Sequence, residues 1–113
     1  VIIKDLVDAT AFLHANEIVH RDIKPDNVLI KNGRGKLADF GFAKFKNNID
    51  EIDTGTKIGT TTYMAPQLLF YDDKPRYSAK CDVWSIGVLM YIVILWLFSF
   101  YLDYIHGNIF RMP

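Results

Sequence analysis

The first part of the chain carries a helical pattern of apolar residues. Between Val1 and Asn16 they recur at intervals of three and four, at Ile2, Ile3, Leu6, Ala9 and Leu13. This spacing predicts an amphipathic helix that packs along one face. The apolar pair Ile18-Val19 then predicts a short strand.

Two short runs that contain apolar residues follow, Val28 to Ile30 and Lys36 to Ala38. The five residues between them include the pair Asn32-Gly33, which favours a tight reversal, so this region predicts a β-hairpin. From Phe42 to Thr62 the chain is polar and rich in turn-forming residues. That composition predicts a mobile surface loop.

The longest apolar stretch runs from Val83 to Leu102, 20 residues without a charged side chain (102 − 83 + 1 = 20). Such a stretch predicts a helix that is either buried on all sides in a protein core or crosses a bilayer. Periodicity does not separate the two cases, because both are helical.

Composition narrows the class of protein. The 13 Lys and Arg residues balance 13 Asp and Glu residues, so the net charge of +0 gives no reason to expect nucleic-acid binding. Hydrophobic residues make up 50%, enough for a packed core. Cys81 is the only cysteine, which excludes an internal disulfide and fits a reducing compartment. Because the sequence starts inside a predicted helix, we expect a fragment of a longer domain.

A polar segment, His20-Arg21-Asp22-Ile23-Lys24-Pro25-Asp26-Asn27, connects the helical region to the hairpin. Loops at such junctions often carry function. The Asp22 carboxylate can accept a proton from a hydroxyl, the Lys24 ammonium can sit beside a phosphate, and the Asn27 carbonyl oxygen can bind a hard cation. Together these capacities describe phosphoryl transfer.

The segment resembles the H-R-D-L-x-x-x-N catalytic loop of protein kinases, and Lys24 is the form found in serine/threonine kinases. Three later segments resemble further kinase motifs in the same order: Asp39-Phe40-Gly41, Gly59 to Gln67, and Lys80 to Val88. Asp39 lies 17 positions after Asp22 (39 − 22 = 17), behind the hairpin, which strengthens the match. One departure is Gln67, which stands where the family has Glu.

The resemblance implies an α+β fold, mainly α with a small β-hairpin, that forms the C-terminal lobe of a protein kinase. It covers residues 1–94 as a partial kinase domain and leaves 95–113 as a divergent apolar tail. The smaller N-terminal lobe, with its glycine-rich loop and strand-borne Lys, is absent from this sequence. We therefore expect the isolated chain to be inactive.

The resemblance also implies a serine/threonine kinase that uses ATP and Mg²⁺ to phosphorylate protein substrates. Asp22 is then the catalytic base, and Lys24 stabilises charge on the transferring phosphoryl group and contacts the nucleotide. Asn27 and Asp39 bind the nucleotide through Mg²⁺, and Leu29 lies under the adenine ring.

Regulation and support of the loop are implied as well. Arg21 is expected to bind a phosphate on Thr56, which lies three positions before Gly59. Asp82 is expected to cap the central helix and to hydrogen-bond to the catalytic-loop backbone.

Two alternatives remain open: a pseudokinase or interaction module, and a kinase fragment anchored in a membrane through Val83–Leu102. All four residues assigned to catalysis and metal binding are present, which favours an active lineage. The start of the apolar stretch matches the central kinase helix, so we expect a core helix from about Asp82 to about Ile94. Leu95 to Phe100 is then expected to be an exposed apolar extension of that helix. The expected location of the protein is the cytoplasm. The residues do not indicate the oligomeric state, kinase subfamily or substrate sequence.

Overall fold

The computed structural model describes residues 1–45, 59–70 and 77–106. Three helices and four short strands occur in these residues, in the order α1 (Ile2–Ala15), β1 (Ile18–Val19), β2 (Val28–Lys31), β3 (Arg34–Leu37), β4 (Lys44–Phe45), α2 (Pro66–Phe70) and α3 (Ala79–Ile105). Short 3-10 turns occur at Pro25–Asn27 and Thr61–Tyr63. The described part is mostly helical with two small antiparallel sheets. The predicted α1 and hairpin are confirmed.

The hairpin closes through the predicted Asn32-Gly33 turn. Lys31 lies opposite Arg34 in the antiparallel ladder, so only these two residues form the loop. Both have positive φ, 52° and 73°, as a primed hairpin turn requires. β3 begins at Arg34, two residues earlier than predicted, because the turn takes up only two residues, and it ends at Leu37, one residue earlier than predicted. The Ala38 N–H donates to the Asn27 carbonyl oxygen at 2.8 Å just beyond the strand pair.

A second strand pair lies inside the segment predicted to be a surface loop. β4 pairs antiparallel with β1, and Lys44 lies opposite Val19. The loop prediction is therefore wrong at its beginning, since two of its residues extend the structure around β1. Residues 46–58, which include the predicted regulatory Thr56, lie outside the described residues.

Both predicted ends of α3 are wrong. The helix begins at Ala79 with Ser78 as its N-cap, which places Asp82 in the first turn and not at the cap. It continues to Ile105, eleven residues beyond Ile94 (105 − 94 = 11), because no Gly or Pro interrupts this part of the sequence.

Two buried clusters connect α3 to the rest of the described structure. One contains Val19, Met64, Ala65, Leu68, Tyr77 and Cys81. The other contains Leu6, Ile23, Ile86 and Leu89. The first cluster includes Val19, which directly precedes the polar segment 20–27, and the second includes Ile23, which belongs to that segment. The core therefore packs directly against this segment.

The outer surface of α3 is apolar but exposed. Val83, Trp84 and Tyr91 are all exposed, so the predicted burial on all sides is wrong for the described residues. By length and composition alone α3 could cross a membrane, and only 11% of its most apolar window is buried. A soluble core helix can have the same length and composition, so this feature is weak evidence for a span.

Candidate active site

Asp82 holds the backbone of the predicted catalytic loop. Its Oδ2 accepts the His20 N–H at 2.8 Å, and its Oδ1 accepts the Arg21 N–H at 2.9 Å. The Asp82 residue is 1% exposed, so both bonds are shielded from water. The predicted bond from Asp82 to this loop is confirmed.

His14 contributes to the same arrangement, and the sequence reasoning missed it. Its Nε2 lies 2.8 Å from Asp82 Oδ2. The available signal was helical spacing, since His14 comes four residues after Thr10 and eight after Leu6, both buried in α1. The partner, 68 residues away, could not be predicted from that spacing.

Asp22 and Lys24 meet at the hydroxyl of Thr60. Lys24 Nζ donates to Thr60 Oγ1 at 2.8 Å, and that hydroxyl donates to Asp22 Oδ1 at 3.3 Å. Lys24 Nζ also lies 3.6 Å from Asp22 Oδ2. The structure therefore brings the two predicted catalytic side chains together and joins them to the segment that begins at Gly59.

Gly59 lies where only glycine fits. Its φ is 107°, and a Cβ built there would lie 2.7 Å from the Arg21 carbonyl oxygen. A side chain would therefore push the segment carrying Thr60 away from the loop.

Asn27 is oriented by the carboxylate and the backbone carbonyl of Asp22. Its Nδ2 donates to the Asp22 backbone oxygen at 2.7 Å and to Asp22 Oδ2 at 3.1 Å. Because the amide nitrogen is engaged by Asp22, the side-chain oxygen is the atom of Asn27 that can bind a cation.

Asp39 is connected to this cluster through the backbone of Ala38. The Ala38 N–H donates to the Asn27 carbonyl oxygen, and His20 Nε2 lies 2.9 Å from the Ala38 carbonyl oxygen. The Phe40 ring meets the His20 ring edge to face at 5.2 Å. Asp39 is exposed, so its carboxylate is accessible to a ligand.

The donor chemistry of Asn27 and Asp39 fits Mg²⁺. Among residues 1–45, 59–70 and 77–106, no three His, Cys, Asp or Glu side chains form a metal-binding group. An amide and a carboxylate oxygen suffice for Mg²⁺, which keeps several waters and takes further ligands from phosphates.

Two further predicted site residues, Leu29 and Arg21, belong to the part of the chain that the structure describes. Leu29 is exposed on β2, where its side chain offers apolar surface. Arg21 is buried, and its Nε donates to the Phe42 carbonyl oxygen at 2.7 Å. Gln67, the departure from the kinase pattern, donates from Nε2 to Cys81 Sγ at 3.6 Å. That contact connects α2 to α3.

Comparison with known proteins finds relatives that are named as protein kinases. The chain is 42% identical over 103 residues to serine/threonine-protein kinase 33 of Bos taurus, covering 82% of this chain and 21% of the relative. It is 36% identical, over an alignment of 123 residues, to serine/threonine-protein kinase Genghis Khan of Drosophila melanogaster. That alignment covers 98% of this chain and 8% of the relative. Calcium-dependent protein kinase 6 of Plasmodium berghei is 41% identical over 88 residues, which covers 75% of this chain and 6% of the relative.

The chain spans no more than about a fifth of the length of each of these relatives. The family model for the protein kinase domain matches residues 1–108, which extends past Ile94. The division into a kinase part and a tail at Ile94 stays a prediction. Since the match covers 108 of 113 residues, the chain belongs to the protein kinase domain family.

Proposed function

We propose that the chain is the C-terminal lobe of an ATP- and Mg²⁺-dependent serine/threonine protein kinase, which transfers the γ-phosphate of ATP to hydroxyls of protein substrates. The observation that carries the proposal is the hydrogen-bonded cluster of Asp22, Lys24, Thr60 and Asn27. Relatives named as serine/threonine-protein kinases support hydroxyl groups as acceptors.

In this proposal Asp22 orients the acceptor hydroxyl and takes its proton. Lys24, held by Thr60 beside Asp22, places a positive charge where the phosphoryl group passes. Mg²⁺ bound by Asn27 and Asp39 supplies charge neutralisation on the phosphates. The exposed Leu29 side chain gives the adenine ring an apolar surface.

The activity is proposed for the complete kinase polypeptide, in which a second lobe covers the nucleotide. We further propose a cytoplasmic location and regulation through Arg21 and Thr56. A pseudokinase role stays the alternative, and it predicts no phosphate transfer by that polypeptide.

Replacing the proposed base tests the function directly. In the complete kinase polypeptide, Asp22→Asn should lower kcat by about 100-fold or more, because an amide cannot take the acceptor proton. ATP affinity should stay within about twofold, since Asp22 is not a proposed nucleotide ligand. Both values can be measured by a peptide phosphorylation assay and by calorimetric titration with ATP.

Asp26→Asn is the matched control, because Asp26 is an exposed carboxylate on the same loop. It should leave kcat unchanged. Near-normal turnover by the Asp22→Asn variant would contradict the assignment of the base.

A further inference from the structure

Arg21 is a buried cation directly before the proposed base. The residue is 6% exposed, and its backbone has φ of 71°. A buried charge needs neighbouring groups that replace its lost hydration. Two such contacts are the Phe42 carbonyl oxygen, 2.7 Å from Nε, and the Tyr77 ring, whose centre lies 5.0 Å from the guanidinium carbon.

Tyr77 lies close in sequence to Asp82, the residue that binds the Arg21 backbone. It is 5% exposed within the first buried cluster and directly precedes Ser78, the N-cap of α3. Asp82, in the first turn of the same helix, accepts the Arg21 N–H at 2.9 Å. The stretch from Tyr77 into the first turn of α3 therefore contacts Arg21 twice, with the Tyr77 ring at the guanidinium and the Asp82 carboxylate at the backbone.

We propose that Tyr77 is a positioning residue of the phosphoryl-transfer site: its ring face binds the Arg21 guanidinium and thereby keeps Asp22 in its productive orientation. The contact distance is within the range of cation–π attraction. Arg21 holds a left-handed backbone conformation that non-glycine residues rarely adopt. When the guanidinium is released, that backbone relaxes and Asp22, the next residue, moves with it. The proposal rests on the function proposed above, because Asp22 is the base assigned there.

Fluorination of the ring separates this role from simple packing. Fluorine withdraws electron density from the ring face with little change in size, so it weakens cation–π attraction selectively. In the complete kinase polypeptide, Tyr77→Phe is the reference, and difluoro- and trifluorophenylalanine at position 77 form the series. We expect kcat to fall stepwise, by about three- to tenfold overall, while KM for ATP stays within about twofold.

Tyr91→Phe and its fluorinated series are the matched control, because Tyr91 is a tyrosine of α3 that lies outside the buried cluster containing Tyr77 and is 64% exposed. That series should leave kcat unchanged. A fall of kcat in both series would overturn the proposal, because it would show an effect of fluorine unrelated to Arg21.

Amide hydrogen exchange at Arg21 and Asp22 provides a readout that does not depend on catalysis. We expect exchange at both amides to accelerate by about threefold or more from phenylalanine to trifluorophenylalanine at position 77. The proposal would be overturned if neither amide exchange nor kcat changed across the series. It would also be overturned if amide exchange became faster while kcat stayed the same. If the wild-type polypeptide transfers no phosphate, the proposed function fails, while exchange still decides whether the ring holds Arg21.

Discussion

Arg21 and Asp39 both have left-handed backbone conformations, with φ of 71° and 56°. Such conformations cost about 1–3 kcal/mol for non-glycine residues and persist only when neighbouring groups hold them. Asp82 accepts the Arg21 N–H, and Asp39 Oδ1 accepts the Gly41 N–H at 3.1 Å. The motif residues were predictable from their order in the sequence. The strained backbone of Arg21 was not, because the residues that hold it lie far along the chain, among them Asp82, 61 residues beyond Arg21.

Regulation gives a prediction at a single residue. In the complete kinase polypeptide, Thr56→Ala should abolish phosphorylation-dependent activation, because a phosphate on Thr56 adds about −1.5 to −2 charges that can pair with Arg21. Mass spectrometry of the active kinase should find this phosphate. Thr54→Ala is the control, since it removes a threonine hydroxyl only two positions from Thr56 and should leave the activation unchanged. Unchanged activity of the Thr56 variant together with an unmodified Thr56 would exclude this regulation.

Between elements, an ion pair attaches the hairpin to α1. Arg34 Nε donates to both carboxylate oxygens of Asp5, at 3.1 and 3.0 Å, and the Gly35 N–H donates to Asp5 Oδ2 at 2.9 Å. These donors, Arg34 first, lower the pKa of the Asp5 carboxyl from 3.8 to about 2. Asp5 likewise raises the pKa of the Arg34 guanidinium.

This ion pair predicts a pH dependence of stability. Because the pKa of Asp5 is lower in the folded state, its contribution is complete above its usual pKa and is lost as the pH falls towards about 2. In the complete polypeptide, the thermal midpoint of the wild type should exceed that of Asp5→Asn at about pH 6, and the difference should shrink between about pH 4 and pH 2. Asp8→Asn, which removes an exposed Lys4–Asp8 ion pair on the same helix, should change the midpoint little. A difference independent of pH would contradict the assignment.

The elements differ in how far local sequence determines them. Helix α1 and the β2–β3 hairpin were predictable, because apolar spacing and the Asn32-Gly33 turn are local signals. Strand β4 was missed since its two residues pair with β1, more than twenty positions earlier. The end of α3 was predicted wrongly because the family pattern, not a helix-breaking residue, suggested Ile94.

At the scale of the whole molecule, the proposed catalytic cluster depends on where α3 begins. Asp82 and Leu89 are buried against the segments that carry the site. The uncharged part that remains after Leu89 runs from Met90 to Leu102, 13 residues (102 − 90 + 1 = 13). At about 1.5 Å per residue it is about 20 Å long, whereas a bilayer core is about 30 Å thick.

This difference in length argues against a membrane span. A span that used all of Val83–Leu102 would withdraw Ile86 and Leu89 from their cluster with Leu6 and Ile23 and move Asp82 away from the loop it holds. We therefore predict that carbonate extraction of the complete kinase from its native cells releases it into the supernatant, as a protein that does not cross the bilayer. An integral membrane protein from the same cells, retained in the pellet, is the control. Retention of the kinase in that pellet, together with protection of Val83–Leu102 from protease in sealed membranes, would show that the helix leaves the domain to enter the membrane. Asp82 would then no longer hold the backbone of His20 and Arg21.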